Sequence, residues 1–181
     1  MTNAESFEAF VRRYQDMVFA TAIRLLGNAA DAEDAAQTVF LRAFERYDQL
    51  AGNPAVGGWL KTTARNVCLN HLSRYRARWR FFSEMDADRE SGESYEDGLE
   101  SQVSRALEPI EDANLDRQER LERALHRLPD AQRVPLVLFH FEDLAYEDIA
   151  RTLGVSLAKV KTDIHRGRQA LRRMLTDHGT R

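Results

Sequence analysis

An acidic segment divides this chain into two blocks of different character. From Glu84 to Glu119 it carries thirteen acidic and three basic residues, a net charge of −10, whereas the whole chain carries −3. The flanking blocks together therefore carry +7. The segment is poor in aromatic and β-branched residues and contains two glycines and one proline, so it cannot bury enough apolar surface to offset its ordering entropy. We predict domains at residues 1–83 and 120–181, joined by a flexible acidic linker, residues 84–119.

The N-terminal block shows the spacing of apolar residues that is typical of amphipathic helices. A first helix should end at Gly27, a second should begin at Asp31 as its N-cap, and a third should run from about Trp59 to Arg80. Their buried stripes are, in order, Phe7, Phe10, Val11, Tyr14, Val18, Ala22 and Leu25; Ala35, Val39, Phe40, Ala43, Phe44 and Tyr47; and Leu60, Ala64, Val67, Leu72 and Tyr75. No segment alternates like a β-strand, so the predicted fold class is all-α.

The C-terminal block has a helical pattern with shorter segments. In "LAYEDIARTLGV" a short helix through Ile149 and Leu153 is followed by a turn at Gly154, and Ser156 can cap a last helix. Two helices joined by a tight glycine turn are typical of a helix-turn-helix. The second helix of that motif enters the DNA major groove. The pattern alone also fits any small helical bundle.

Basic residues on the last helix favour the DNA-binding interpretation. Its inner face is expected to hold Val160, Ile164, Leu171 and Leu175. Its outward side is predicted to carry an unpaired row of cations, namely Lys159, Lys161, Arg166, Arg168, Arg172 and Arg173. A basic face is often only solvated, but a row of this kind is typical of a phosphate-binding surface.

Composition disfavours several other classes of protein. No apolar run approaches the roughly 18 residues that a membrane span needs, and the N-terminus has no export signal, so we expect a cytoplasmic protein without membrane insertion. Cys68 is the single cysteine, and the five histidines are scattered. No glycine-rich phosphate loop or paired carboxylates are evident. We predict no catalytic residues, no metal site and no cofactor.

Three segments in this order carry a family resemblance: "DAEDAAQTVFLRAFERY", "WLKTTARNVCLNHLSR" and "LAYEDIARTLGVSLAKVKTDIHRGRQALRR". With the acidic linker between the second and third, the chain resembles the extracytoplasmic-function (ECF) sigma factors of bacterial RNA polymerase. The resemblance implies a first domain that binds core polymerase and melts the minus-ten promoter element, and a second that reads the minus-thirty-five element. It also implies an anti-sigma factor as a partner.

The resemblance implies two sets of contact residues in the first domain. Acids near the start of the second helix suit a basic protein partner, although they also complement the helix dipole. The residues expected to bind core polymerase are Asp31, Glu33, Asp34, Gln37, Phe40 and Arg42. Those expected to bind the melted minus-ten strand are Lys61, Arg65, Asn66, Asn70, Arg74 and Arg76.

The contacts expected at the minus-thirty-five element are Lys159, Lys161, Thr162, Asp163, Arg166 and Arg168. Among them Asp163 is a carboxylate in a row of cations, and helical spacing predicts that it points toward the groove. It could pair with Lys159 or Arg166, accept a hydrogen bond from a cytosine amine, or be a tolerated surface residue. We favour a role in sequence specificity, with Lys161, Arg166 and Arg168 binding the DNA backbone.

Two other functions compete with this interpretation. A stand-alone helix-turn-helix repressor would explain the C-terminal block, but it should carry a dimerisation or ligand-sensing surface. A helical adaptor that binds only proteins would explain the acidic helix but not the cationic row.

Overall fold

The computed structural model describes residues 6–73 and 113–176, which belong to two compact units. The N-terminal unit contains helices α1 (Phe7–Leu26), α2 (Ala29–Phe44), α3 (Tyr47–Leu50) and α4 (Val56–Leu72). The C-terminal unit contains α5 (Ala113–Arg127), α6 (Asp130–His140), α7 (Tyr146–Leu153) and α8 (Leu157–Thr176). Neither described range contains a strand. The predicted all-α fold with two helical domains is therefore confirmed.

Two residues between α1 and α2 end one helix and begin the next. Gly27 adopts a left-handed conformation (φ 67°), and its amide donates to the carbonyl of Ile23 at 2.8 Å. The side chain of Asn28 then accepts from the amides of Ala30 and Asp31. The prediction that Asp31 is the N-cap is wrong, because Asn28 already satisfies the first free amides.

Three helices enclose the core of the N-terminal unit, since α1 packs against α2 and α4, and α2 against α4. The central side chains are fully or almost fully buried: Phe10, Val18, Ala22 and Leu25 from α1; Ala32, Ala35, Val39 and Ala43 from α2; and Leu60, Ala64, Val67 and Leu72 from α4. The alanines on α2 allow close approach of the neighbouring helices. Most of the predicted stripes are therefore core positions.

The second half of the N-terminal unit differs from its prediction in two places. α2 ends at Phe44, and Tyr47 begins the separate short helix α3. α4 begins at Val56 rather than near Trp59, after the side chain of Asn53 accepts from the amide of Ala55 at 2.9 Å. The predicted end of this helix near Arg80 lies outside the described residues.

The C-terminal unit contains the predicted helix-turn-helix, formed by α7 and α8. Gly154 is left-handed (φ 68°) and its amide donates to Ala150. Ser156 caps α8 by accepting from the amide of Lys159 at 3.1 Å. α8 packs against α5, α6 and α7, so the expected DNA-binding helix is also the central helix of its unit.

α5 begins inside the predicted linker, at Ala113. Two ion pairs at four-residue spacing, Asp116 with Arg120 and Glu119 with Arg123, stabilise its exposed face. Net charge alone predicts that Asp116 and Glu119 belong to the linker, although they lie on α5. The remainder of the predicted linker, residues 84–112, lies outside the described ranges.

α6 and α8 approach each other closely at Gly167. A Cβ atom added there would lie 3.2 Å from the Leu136 methyl Cδ1 and 3.4 Å from the Gln132 carbonyl oxygen. Leu136 is fully buried, so it has little room to move. The close approach of the two helices at this point therefore favours glycine.

We expect Gly167→Ala to destabilise the C-terminal unit by about 1 kcal/mol, because overpacking outweighs the gain in helix propensity. Gly58→Ala is the matched control: Gly58 is also helical, but nothing lies within 4 Å of its added Cβ. That variant should stabilise the N-terminal unit by about 0.5 kcal/mol. Hydrogen exchange of the slowest amides in each unit measures both changes. Stabilisation by Gly167→Ala would contradict the close contact.

Candidate polymerase and promoter interfaces

An open groove of about 860 Å³ lies between α1 and α2. Its lining is mainly apolar and comprises Phe7, Val11, Gln15, Asp16 and Phe19 of α1 with Glu33, Ala36, Gln37, Phe40, Leu41 and Phe44 of α2. Leu41 is 66% exposed and Phe44 is 62% exposed. Large exposed apolar side chains around a concave surface indicate a site for a protein partner.

Aromatic contacts close one end of this groove. The Phe7 ring lies 5.0 Å from that of Phe44 and 5.2 Å from that of Tyr47, both edge-on, and Phe10 lies 5.4 Å from Tyr47. These contacts hold α3 against α1. The prediction that Phe44 is buried is wrong, because its side chain stays largely exposed despite the contact with Phe7.

The residues predicted to bind polymerase do not all lie at one site. Glu33, Gln37 and Phe40 line the groove, and Asp34 is exposed beside it. Asp31 instead lies on the α4 side, where its carboxylate is 3.5 Å from His71 Nε2. Arg42 is exposed but does not line the groove. The three residues in the groove share one helical face with Phe44, since their spacing is three or four residues.

The outward face of α4 brings together four of the residues predicted at the minus-ten element. Asn66 and Asn70 are exposed one turn apart, and Lys61 and Arg65 are half-buried beside them. The amide side chains can both donate and accept hydrogen bonds, as recognition of an unpaired base requires. Arg74 and Arg76, predicted to belong to the same surface, lie outside the described residues.

The outward face of α8 contains part of the predicted cationic row. Lys161, Arg172 and Arg173 are exposed, and Thr162 and Arg166 are half-buried. Lys161 lies one turn after the Ser156 cap, close to the N-terminus of the helix. That is the end of a recognition helix that reaches the bases in a helix-turn-helix.

Asp163 does not lie on the outward, DNA-facing side of α8, contrary to the sequence prediction that it points toward the DNA groove. It is 7% exposed, and its carboxylate is 3.0 Å from the ammonium nitrogen of Lys159, whose side chain is 12% exposed. Asp163 lies on the inner face beside Ile164 because α6 covers this side of α8. Of the three alternatives left open, the structure contains the ion pair with Lys159.

Arg168 is also turned inward, so its predicted position on the DNA-facing side is wrong. It is 9% exposed, its Nε donates to His140 Nε2 at 3.3 Å, and its guanidinium carbon lies 5.4 Å from the Phe139 ring centroid. Burial and the neighbouring Arg168 charge lower the pKa of His140 to about 4. The imidazole is therefore neutral near pH 7 and can accept this hydrogen bond.

Two residues on the outward face of α8 were missed by the sequence analysis. His165 follows Lys161 by one turn, and its ring nitrogen Nε2 lies 2.9 Å from the side-chain amide nitrogen Nε2 of Gln169. Gln169 is exposed and His165 is half-buried. The four-residue spacing from Lys161 to His165 and Gln169 was the signal that could have found them.

Within residues 6–73 and 113–176, no three histidine, cysteine or acidic side chains are grouped closely enough to hold a metal ion. None of the helices described for this chain is long and apolar enough to cross a membrane.

A helical unit with an apolar groove and a separate helix-turn-helix with a cationic outer face are typical of a DNA-binding protein that also binds a protein partner. Residues 10–79 match the family model of sigma-70 region 2, and residues 118–171 match that of sigma-70 region 4. The chain belongs to the ECF sigma factors of bacterial RNA polymerase. It directs promoter-specific initiation of transcription, with core RNA polymerase and promoter DNA as its partners.

Relatives match over nearly the whole chain. ECF RNA polymerase sigma factor SigW of Bacillus subtilis is 31% identical, over 96% of this chain and 90% of SigW. ECF RNA polymerase sigma factor SigE of Mycolicibacterium smegmatis is 36% identical over 97% of this chain, and the match spans 63% of SigE. A solved structure of the sigma factor RpoE with the anti-sigma factor NepR, from Bartonella quintana, is 25% identical and covers 95% of this chain and 98% of that chain, with a TM-score of 0.49.

Proposed function

We propose that the two units of this sigma factor have separate contacts in the initiation complex. The groove between α1 and α2 binds core polymerase, the outward face of α4 binds the melted minus-ten strand, and the outward face of α8 binds the minus-thirty-five element. The observation that carries this proposal is the contrast in charge: the groove is rimmed by Asp16 and Glu33, whereas the exposed face of α8 is cationic. An acidic rim disfavours DNA and suits a basic protein surface.

The chemistry of the α1–α2 groove supports a protein partner. Its apolar floor would be covered on binding, which provides the hydrophobic contribution to affinity. Glu33 and Gln37 offer a charge and an amide at the rim, where polar contacts set orientation and specificity. The exposed acid Asp34 extends this surface, whereas Asp31 is directed to α4 and would contribute little.

On the DNA side, we propose that Lys161 and Arg166 bind phosphates and that Thr162 and His165 reach base edges. Cations on the outward face supply sequence-independent affinity, and hydroxyl or imidazole groups near the helix N-terminus can discriminate between bases. On α4, the proposed contacts to the melted strand are Asn66 and Asn70, with Lys61 and Arg65 along the backbone. Arg74 and Arg76 stay predictions.

The remaining functional assignments follow from this role. We propose that the chain has no catalytic activity of its own, since the polymerase forms the phosphodiester bonds. It would act in the cytoplasm, where promoter DNA and polymerase are found. An anti-sigma factor that covers the polymerase-binding or promoter-binding surface stays a prediction.

Reconstituted transcription tests the proposed function. Purified core polymerase with the full-length chain should give transcripts from a defined set of fragments in a genomic DNA library, and core polymerase alone should give none of them. A repressor or a protein adaptor would yield no such transcripts.

We expect Leu41→Glu to weaken the binding of core polymerase at least tenfold, because it places a charge in the apolar groove. Leu41 is already exposed, so the fold should be unaffected. Leu115→Glu is the matched control, since Leu115 is 65% exposed but lies on α5. Competition for core polymerase against labelled wild-type protein measures the affinity of both variants. Equal competition by Leu41→Glu and wild type would show that the groove is not the interface.

A further inference from the structure

A cluster at one corner of the C-terminal unit connects three helices. Phe139 and His140 lie at the end of α6, Tyr146 begins α7, and Arg168 lies in the second half of α8. The Phe139 ring is 4.7 Å from that of Tyr146 and 4.9 Å from that of His140. Arg168 contacts Phe139 through its guanidinium and His140 through Nε. At this corner the second half of the recognition helix contacts the end of α6, beside the start of α7.

The chemistry of the cluster restrains Arg168 in one position. Arginine keeps its charge in proteins, so burying it is unfavourable unless its donors and its charge are compensated. The histidine nitrogen accepts from Nε, and the aromatic face lies below the cation. Because His140 Nε2 accepts, the proton of the neutral ring is on Nδ1. The side chain of Arg168 is therefore directed into its own unit and away from phosphate.

We propose that Arg168 and His140 are positioning residues for promoter recognition: they fix α8 against the α6–α7 corner and thereby place Lys161 and Thr162 for contact with DNA. This inference rests on the proposed role of α8 at the minus-thirty-five element. Lys161 and Arg168 are seven residues apart, about two helical turns, so a rotation of α8 at Arg168 is transmitted to Lys161. A small displacement of contact groups is enough to lose base-specific contacts.

Salt dependence separates a positioning residue from a phosphate contact. Each phosphate contact adds about one unit to the slope of log affinity against log salt concentration, whereas a residue that acts through packing adds none. The variants Arg168→Met and Lys161→Met both remove one cation and introduce the same side chain. The probe is a duplex with the upstream element that wild-type holoenzyme selects from a randomised promoter library. Affinity of each holoenzyme is measured over a series of KCl concentrations.

We expect Lys161→Met to weaken binding and reduce the slope by about one unit. Arg168→Met should weaken binding to the selected duplex about tenfold without changing the slope. A reduced slope for Arg168→Met would identify a phosphate contact, and unchanged affinity would show that the residue has no role; either result overturns the proposal. If wild-type holoenzyme selects no upstream element, or if Lys161→Met leaves the slope unchanged, the assignment of α8 to DNA fails instead.

Variants of His140 provide an independent test that keeps Arg168 intact. His140→Leu removes the acceptor and should reproduce the loss of affinity at constant slope. His140→Gln retains an acceptor oxygen and should restore most of the wild-type affinity. Hydrogen exchange of α8 amides checks that the C-terminal unit of each variant is folded. If that unit is unfolded in Arg168→Met, the two His140 variants decide the test. Equal affinity of the leucine and glutamine variants would contradict positioning through this hydrogen bond.

Discussion

Replacing Asp163 by alanine is expected to destabilise the C-terminal unit by about 3 kcal/mol, because it leaves the Lys159 ammonium without its partner in a mostly buried position. The two groups are 3.0 Å apart and lie beside α6, the end of α7 and the turn of the helix-turn-helix. The loss exceeds the few tenths of a kcal/mol of a solvent-exposed pair at the same spacing. Hydrogen exchange of the slowest α8 amides measures it in the full-length chain.

Intrinsic fluorescence is unsuitable for that measurement, since the two tryptophans, Trp59 and Trp79, both lie outside residues 113–176. The matched control is the double variant Lys159→Met/Asp163→Leu, which removes both charges. It should recover most of the lost stability, because a well-packed apolar pair can replace a buried ion pair at little cost. If Asp163→Ala left stability unchanged but altered the selected upstream sequence, the carboxylate would be a base contact after all.

Acidification is expected to destabilise the C-terminal unit through His140. Burial and the Arg168 charge lower its pKa from 6.5 to about 4, so between these values the unfolded chain binds a proton that the folded unit excludes. The stabilisation is fully present above about pH 6.5 and is lost as the pH falls toward 4. Because the ring is only partly buried, we expect a loss of about 1–2 kcal/mol rather than the full value of the shift.

The difference between wild type and His140→Gln isolates this contribution, since all other titrating groups are common to both. The free energy of unfolding of the wild-type unit should fall relative to the variant between pH 6.5 and 4, as measured by urea-dependent hydrogen exchange. A difference that stays constant over this range would show that His140 binds its proton equally in the folded and unfolded states.

Periodicity in the sequence predicted the helices of the core because their buried faces repeat every three or four residues. Phe10, Val18 and Leu25 on α1, and Ile149 and Leu153 on α7, are all buried as expected. Boundaries were less accurate, since they depend on which side chain reaches the free amides. Asn28 and Asp31 are both suitable N-cap residues. The chain turns at Gly27, which is left-handed, and the side chain of Asn28 accepts from the free amides at the start of α2.

The site residues were harder to predict because exposure depends on contacts between helices. Lys161 and Arg168 lie almost on one line of α8, about two turns apart, yet the first is exposed and the second is covered by the end of α6. Phe44 continues the apolar stripe of α2 but lines the open groove, where its ring contacts Phe7 of α1 and stays 62% exposed. A helical pattern specifies a face, and only the packing of neighbouring helices decides how far along the helix that face is buried.

The central position of α8 limits how promoter preference can diverge among proteins of this architecture. Residues on its inner face, such as Val160, Ile164 and Gly167, contact three other helices, so their substitution costs stability before it alters recognition. We therefore expect sequence variation that is compatible with folding to be concentrated at outward positions such as Lys161, Thr162, His165 and Gln169. If α8 reads the minus-thirty-five element as proposed, we expect a change of target sequence to evolve by substitution at these positions, while the helix continues to hold its domain together.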